Sequence, residues 1–255
     1  MTMTKPSKPP LVLKRGRLLP LWQAPGEAQM ALDRALLAGL EQWGPILRFY
    51  TWEPVAISLG YHQQTYPTAW EALTYQGEPV ELVRRPTGGR AVLHQGDLCY
   101  SLLMPHFPGT RRQVYERCCQ FLRLGWQSLG IDLTFGAGQR GYIHHPSCFS
   151  TATAADLVTA AGYKLIGSAQ LHRGGGILQQ GSMRLNPDPV LFFEVFGEAV
   201  APPSPMPTIP AIITALHQAA QTDWGCPFPA QPLTAQEWAR LNTLGFGTTN
   251  PGAIH

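Results

Sequence analysis

Between residues 46 and 104, five β-patterned runs follow one another at 46–52, 55–59, 80–84, 91–94 and 98–104. Three of the four connections between them are only two to six residues long. Such links join antiparallel neighbours, because a parallel pair needs a crossover of about a dozen residues or more. The remaining link, 60–79, carries a short helical pattern at 67–73. A strand at 11–19 precedes these runs, and strands at 131–135, 156–159, 163–166, 168–171 and 177–185 follow them. A hairpin turn falls at 160–162. Two helices complete the pattern. One starts at Pro25 and carries Leu32, Leu36, Leu40 and Trp43 at helical spacing; the other runs over 111–129, with Val114, Cys118, Phe121 and Gly125 on one face. The fold class is therefore α+β: a mixed, mostly antiparallel β-sheet flanked by helices.

Composition agrees. Gly and Pro make up 50 of 255 residues, far above the usual share of about 12%, while charged residues are only 14%. These figures exclude collagen, coiled coils and a self-repelling disordered chain. Residues 1–10 read as a disordered leader, 11–197 as the main domain, and 198–255 as a Pro-rich appendage packed on it, with helices near 211–220 and 235–241. No apolar run approaches the roughly 18 residues a membrane span needs, and the first ten residues lack a secretory pattern. A cytoplasmic location is expected, with no membrane partner. The five cysteines form no CxxC pair, so neither a disulfide framework nor a metal site is expected. The net charge of +3 owes much to Lys5, Lys8, Lys14, Arg15 and Arg17, which precede the first acid, Glu27. Without aromatic partners this arm reads as a solvated leader rather than a nucleic-acid footprint.

Four constellations could carry chemistry. In the first, Arg84, Arg85 and Arg90 flank Thr87, Gly88 and Gly89, with His94 following. Glycines let backbone N–H groups cradle an anion or carbonyl, and arginines add forked donors; a hairpin turn with solvated flanks is the alternative. In the second, Gly136, Gly138 and Gly141 match G-x-G-x-x-G, but Pro146 and two histidines stand where a dinucleotide site requires a helix. The third places Cys148 in a loop beside His144 and His145, either as an activated nucleophile or as a small buried thiol. Cys99, Cys118, Cys119 and Cys226 read as structural. The fourth sets Lys164 between apolar neighbours, as an inward fixed cation or a solvated strand lysine. It is followed by Gly167, Ser168, Ala169 and Gln170, and later by Gly174–176 and Gly181, which keep the backbone accessible.

RRPTGGRAVLH, followed about 75 residues on by KLIGSAQ and then ILQQGS, resembles the lipoate/biotin protein ligase and octanoyltransferase superfamily. Arg90, where ligases usually carry a third glycine, and the Ser-Cys-Phe at 147–149 are similar to the cysteine-dependent octanoyltransferases. The resemblance covers about residues 15–195. It implies the fold of the biotinyl/lipoyl protein ligase catalytic domain. It also implies transfer of an octanoyl group from octanoyl-acyl carrier protein to a lysine of a lipoyl-carrier protein, such as glycine cleavage H protein or an E2 lipoyl domain. Cys148 matches the family's thioester nucleophile and Lys164 its active-site lysine. Arg84, Arg85, Thr87, Gly88, Gly89, Arg90 and His94 would line the acyl and pantetheine side of the pocket, with Gly167, Ser168, Ala169, Gln170 and Gly181 opposite. No cofactor is expected, since thioester exchange needs no ATP. ATP enters only under the alternative of a lipoate-protein ligase, in which Lys164 holds an adenylate and Cys148 is incidental. An octanoyl amidotransferase acting between carrier proteins is a further alternative. A non-catalytic nucleic-acid module would need paired aromatic and basic strands, which the sequence lacks. Gln180 departs from the branch, which usually has histidine there.

Overall fold

The computed structural model of the protein describes residues 13–136 and 156–243. Its strands are β1 (Arg17–Ala24), β2 (Ile46–Trp52), β3 (Ala56–Leu59), β4 (Thr74–Tyr75), β5 (Glu78–Pro79), β6 (Glu81–Arg84), β7 (Val92–His94), β8 (Asp97–Pro105), β9 (Leu133–Phe135), β10 (Leu157–Thr159), β11 (Lys164–Arg173) and β12 (Gly176–Arg184). Its helices are α1 (Gly26–Ala38), α2 (Leu40–Trp43), α3 (Arg111–Ser128), α4 (Pro189–Phe196), α5 (Ile209–Trp224) and α6 (Ala235–Thr243). Among the described residues, the main sheet has seven strands in the order β1-β2-β8-β12-β11-β10-β9. Only β1–β2 is parallel within it, because α1 and α2 supply the crossover. A smaller sheet, β6-β3-β7, lies beside it, and β4–β5 form a hairpin.

Alternation along β8 sorts the core into two faces. Leu98, Tyr100, Leu102 and Met104 pack with Val114, Cys118, Phe121 and Trp126 of α3 and with Ile212, Leu216 and Ala220 of α5. Leu103 packs beneath Leu32 and Leu36 of α1. Cys99 joins Met30, Tyr50 and Trp52 on the α1 side. This α1 side, buried yet rich in polar groups, is where the candidate site forms. Gly125 sets the α3–α5 spacing: a Cβ there would stand 2.6 Å from Leu216 Cδ2 and 3.0 Å from Leu216 Cα. The start of α3 is held by a reciprocal capping box between Thr110 and Gln113.

Several elements differ from the sequence reading. The first strand begins at Arg17 and runs to Ala24, not over 11–19. Its register slips between Leu19 and Trp22, where Pro20 lacks an N–H for the ladder. Arg17 is not solvated. It is buried and ion-paired with Glu237 at 2.6 Å, and it also donates to the carbonyls of Gln231 and Pro232. The chain after α5 lies along β1, with Gly16 N–H donating to the Pro227 carbonyl and Leu18 N–H to that of Pro229. Helix α4 was not foreseen, although Asp188 caps it, Pro189 opens it and Gly197 closes it in the left-handed conformation. Segments 163–166 and 168–171 are one strand, β11. Gly174 and Gly175, with φ of 58° and 75°, are the two-residue turn of the β11–β12 hairpin. Their role is to turn the chain, a more local reason than the backbone access read from the sequence. No helix among the described residues is long and apolar enough to cross a membrane.

Candidate active site

Strand β6 leads into the arginine–glycine loop, which folds over Gly60. The clearance is extreme: a Cβ on Gly60 would lie 1.8 Å from the Gly89 carbonyl oxygen. Arg85 braces the loop from within. Its guanidinium donates to the Gly88 carbonyl (2.8 Å), the Arg90 carbonyl (2.6 Å) and the Ser58 carbonyl (2.8 Å). The donors that the sequence suggested for an anion thus hold the loop itself. Arg84 is exposed and donates to the carbonyls of Gly60 and Gln63. Thr87 is buried beneath the loop, where its hydroxyl donates to Gln180 Oε1 at 2.8 Å.

Gln180 therefore has a structural place despite its departure from the expected histidine. Its amide donates to Asp33 Oδ2 at 2.6 Å, and Asp33 also accepts from Ser101 (2.6 Å) and from Arg48 Nε (2.7 Å). Arg48 is held in turn by donating to the side-chain and backbone oxygens of Gln29, and lies over the Tyr50 ring. This buried chain connects α1, β2, β8 and β12 to the arginine–glycine loop. Asp33, a carboxylate on the apolar face of α1 between Met30 and Leu36, was the sequence signal that could have found it.

The loop covers a cavity of about 90 Å³. Met30, Tyr50, Trp52 and Val92 supply apolar walls, and Gly167, Ser168, Ala169 and Gly181 supply β-strand backbone. Gly181 leaves room for the ring of its cross-strand partner Tyr100 behind the cavity wall: a Cβ there would stand 2.2 Å from Tyr100 Cε1. His94 is buried at one wall. Its ring stacks on Trp52 at 3.9 Å, Nε2 lies 2.8 Å from Ser58 Oγ, and Nδ1 lies 2.8 Å from Asp97 Oδ2. Cys99 Sγ adjoins both, 3.3 Å from His94 Nδ1 and 3.2 Å from Asp97 Oδ2. Burial and the Asp97 charge push the Cys99 thiol well above its ordinary value, so it stays protonated in this arrangement. Cys119 on α3 is likewise pushed up to about 12 by burial.

Lys164 opens β11 and turns inward. It is 4% exposed, and Nζ lies 2.9 Å from Asp156 Oδ2, itself buried. Asp156 lines the cavity, so the pair places a fixed ionic group at its edge. Asp156 and Asp97 were both missed from sequence. The first stands just before β10 and the second three residues after His94, positions where an acid reads equally well as a turn residue. Cys148, His144 and His145 lie outside the described residues, as does all of 137–155.

Of the remaining candidates, Arg85, Gly89, His94, Gly167, Ser168, Ala169 and Gly181 line the cavity. Arg84, Gly88 and Gln170 line a neighbouring open groove of about 1040 Å³, which Arg85 also borders. Arg90 contributes its carbonyl to Arg85 and borders neither space. Arg34, Arg111 and Arg173 add three further cations to the groove, and Glu27 is its one acid among the described residues.

A mixed sheet of this order, with a glycine loop over a cavity edged by a buried lysine–carboxylate pair, has the fold of the lipoyl-type protein ligase domains. The chain belongs to the lipoyl protein ligase A/B catalytic domain family, whose sequence profile matches residues 25–227. The match crosses the 197/198 boundary read from the sequence. The chain is 38% identical over 179 residues to octanoyltransferase LipM of Carboxydothermus hydrogenoformans, covering 67% of this chain and 65% of that relative, just under two thirds of its length. It is 36% identical over 192 residues to octanoyltransferase LipM of Symbiobacterium thermophilum, covering 70% of this chain and 68% of the relative. Among solved structures it is similar to protein Ta0514 of T. acidophilum with bound lipoic acid. That likeness has a TM-score of 0.75 and 25% identity over 90% of this chain and 94% of the other. Lipoate-protein ligase A bound with ATP shares the fold, with a TM-score of 0.74 at 24% identity over 90% and 94% of the two chains.

Proposed function

We propose that the protein is an octanoyltransferase that moves an octanoyl group from octanoyl-acyl carrier protein, through a thioester on Cys148, to a lysine of a lipoyl-carrier protein. The observation that carries this reading is the buried Lys164–Asp156 pair at the edge of a narrow, partly apolar cavity roofed by the arginine–glycine loop. In the first step the Cys148 thiolate attacks the donor carbonyl, forms the octanoyl thioester and expels the carrier thiolate. In the second, the neutral amine of the acceptor lysine attacks that thioester, forms the amide and returns the Cys148 thiol. The first exchange is nearly isoenergetic, so the reading requires neither ATP nor a metal. Lys164 supplies the cation that favours the thiolate and the oxyanion, and Asp156 holds it in place. Met30, Tyr50, Trp52 and Val92 take the acyl chain. Burying it contributes about 0.8 kcal/mol per CH₂, which discriminates against short acids.

The groove supports the same direction of approach. Arg34, Arg84, Arg111 and Arg173 surround it next to the loop that roofs the cavity. An acidic carrier with a phosphodiester-linked arm fits that charge, and steering of this kind raises association rates. The decisive experiment is incubation with octanoyl-acyl carrier protein without ATP, followed by intact mass measurement. One octanoyl adduct, lost in Cys148→Ala, is expected. No adduct, together with ATP-dependent attachment of free lipoate by Cys148→Ala, would overturn the reading in favour of a lipoate-protein ligase. Adduct formation followed by transfer only from one lipoyl-carrier protein to another would make the protein an amidotransferase.

A further inference from the structure

Among the described residues, one set of three metal-capable side chains has its ligand atoms within 4.8 Å of one another: His94, Asp97 and Cys99. The three residues lie within six positions, from the end of β7 across a two-residue link into β8, in the spacing His-x-x-Asp-x-Cys, and all are buried. A search for CxxC pairs passes over this spacing. We propose that these three side chains bind one thiophilic divalent ion of the zinc class at the wall of the cavity.

The geometry carries the proposal. The atoms His94 Nδ1, Asp97 Oδ2 and Cys99 Sγ form a triangle with sides of 2.8, 3.2 and 3.3 Å. Zinc bonds run at about 2.0–2.2 Å to nitrogen and oxygen and about 2.3 Å to sulfur, so an ion about 1 Å out of this plane reaches all three. Ideal tetrahedral separations of roughly 3.3–3.6 Å require each side to open by only about 0.2–0.6 Å. The outer contacts are also those of a metal site. The ring is clamped by its stack on Trp52, and Nε2 faces Ser58 Oγ at 2.8 Å, so the Nε2–H tautomer that turns the Nδ1 lone pair to an ion has an acceptor in place. Ser182 Oγ donates to Asp97 Oδ2 at 2.6 Å and orients the carboxylate. His94 and Cys99 line the cavity, so the position the protein leaves unfilled opens to it and takes water or a small anionic ligand.

Binding breaks the Cys99 S–H and His94 Nδ1–H bonds and forms bonds from sulfur, Nδ1 and the Asp97 carboxylate to the ion; the thiol proton leaves to solvent, and the neutral ring takes the Nε2–H tautomer, which donates to Ser58 Oγ. The site borders the cavity assigned to the acyl chain, so it is tested by metal binding alone, without turnover. Metal-free full-length protein is titrated with Co²⁺, followed by displacement with Zn²⁺. We expect one ion per chain, strong visible d–d bands of a tetrahedral centre, and a near-ultraviolet thiolate-to-cobalt band. All are retained in Cys148→Ser, which removes the other cysteine that neighbours histidines. The thiolate band is lost in Cys99→Ala. Should that variant fail to fold, Cys99→Ser keeps a hydroxyl for Asp97 and must show cobalt binding without the thiolate band. Absence of cobalt bands with the ion in excess, a thiolate band that survives Cys99 substitution, or one that disappears with Cys148→Ser would each overturn the proposal.

Discussion

Replacing Gly60 with alanine tests how the arginine–glycine loop is held. The added Cβ would stand 1.8 Å from the Gly89 carbonyl oxygen and 2.7 Å from its carbonyl carbon. A carbon–oxygen contact settles at roughly 3.3 Å, so the loop must retreat by about 1.5 Å. The obstacle is backbone, which cannot swing aside as a side chain would. Retreat strains the bond from Tyr61 N–H to the Thr87 carbonyl (2.9 Å) and those from Arg85 to the Gly88 and Arg90 carbonyls. Overpacking costs about 1–3 kcal/mol and each weakened hydrogen bond about 1 kcal/mol, so a loss of about 2–5 kcal/mol is expected. Misplacing the loop by more than about 1 Å should also slow octanoyl loading by about 10²-fold. Urea unfolding measures the first effect and single-turnover intact mass the second. Gly88→Ala is the internal control for stability: a Cβ there meets nothing within 4 Å, and the unfolding free energy should stay within about 0.5 kcal/mol. If Gly60→Ala proves as stable as Gly88→Ala and loads at the native rate, the loop does not rest on Gly60 and the reasoning fails.

Three other outcomes follow from the geometry. Asp156→Ala leaves Lys164 buried without its carboxylate and should cost about 3–5 kcal/mol in urea unfolding, while the double variant Asp156→Leu/Lys164→Met recovers most of that loss. Asp188, which caps α4, is held below the usual carboxylate range by the Leu191 N–H and then the Val190 N–H. The unfolded chain therefore takes up the proton first: the contribution of this cap is complete above the ordinary Asp value and is lost as pH falls through the lower folded one. The thermal midpoint of Asp188→Asn should be correspondingly less sensitive to pH across the acidic range. Arg111→Glu/Arg173→Glu should lower kcat/KM for octanoyl-acyl carrier protein and flatten its dependence on ionic strength, and an unchanged salt slope would remove the groove from carrier docking.

Local chemistry made a good part of the architecture legible. The mostly antiparallel character of the main sheet was legible, but the three short links do not join paired strands as expected: β2 pairs with β1 and β8, β3 with β6 (parallel) and β7, and β8 with β12, because these links carry the chain from one sheet to the other or past a neighbour. The 3.6-residue periodicity of α3 places Val114, Cys118 and Phe121 on one buried face. The 160–162 turn, with Gly162 at φ 80°, could be read from its own residues. Helix α4 could have been read the same way from Asp188, Pro189 and Gly197, but its eight residues carry too few periods to stand out beside strand-like Val and Phe. At the site, the glycine loop and Lys164 were found through the spacing of motifs that resemble a family, not through periodicity.

The sequence by itself determined the fold class, the glycine loop and the residues with chemical capacity, because turns, caps and hydrophobic alternation act over a few neighbours. Only the tertiary structure decided what those residues face. Arg85 looks like an anion donor until its carbonyl partners are known, and Lys164 is either solvated or inward until Asp156 meets it. His94, Asp97 and Cys99 are near in sequence, yet their convergence depends on the β7–β8 turn and on Trp52 pressing the ring into place. Thr87, Gln180 and Asp33 span 147 positions between Asp33 and Gln180, and one buried hydrogen-bond chain joins them. The physical reason is the same in each case. A charged or polar side chain has many adequate partners in water, and only burial, by removing the water, compels it to find one particular partner across the fold.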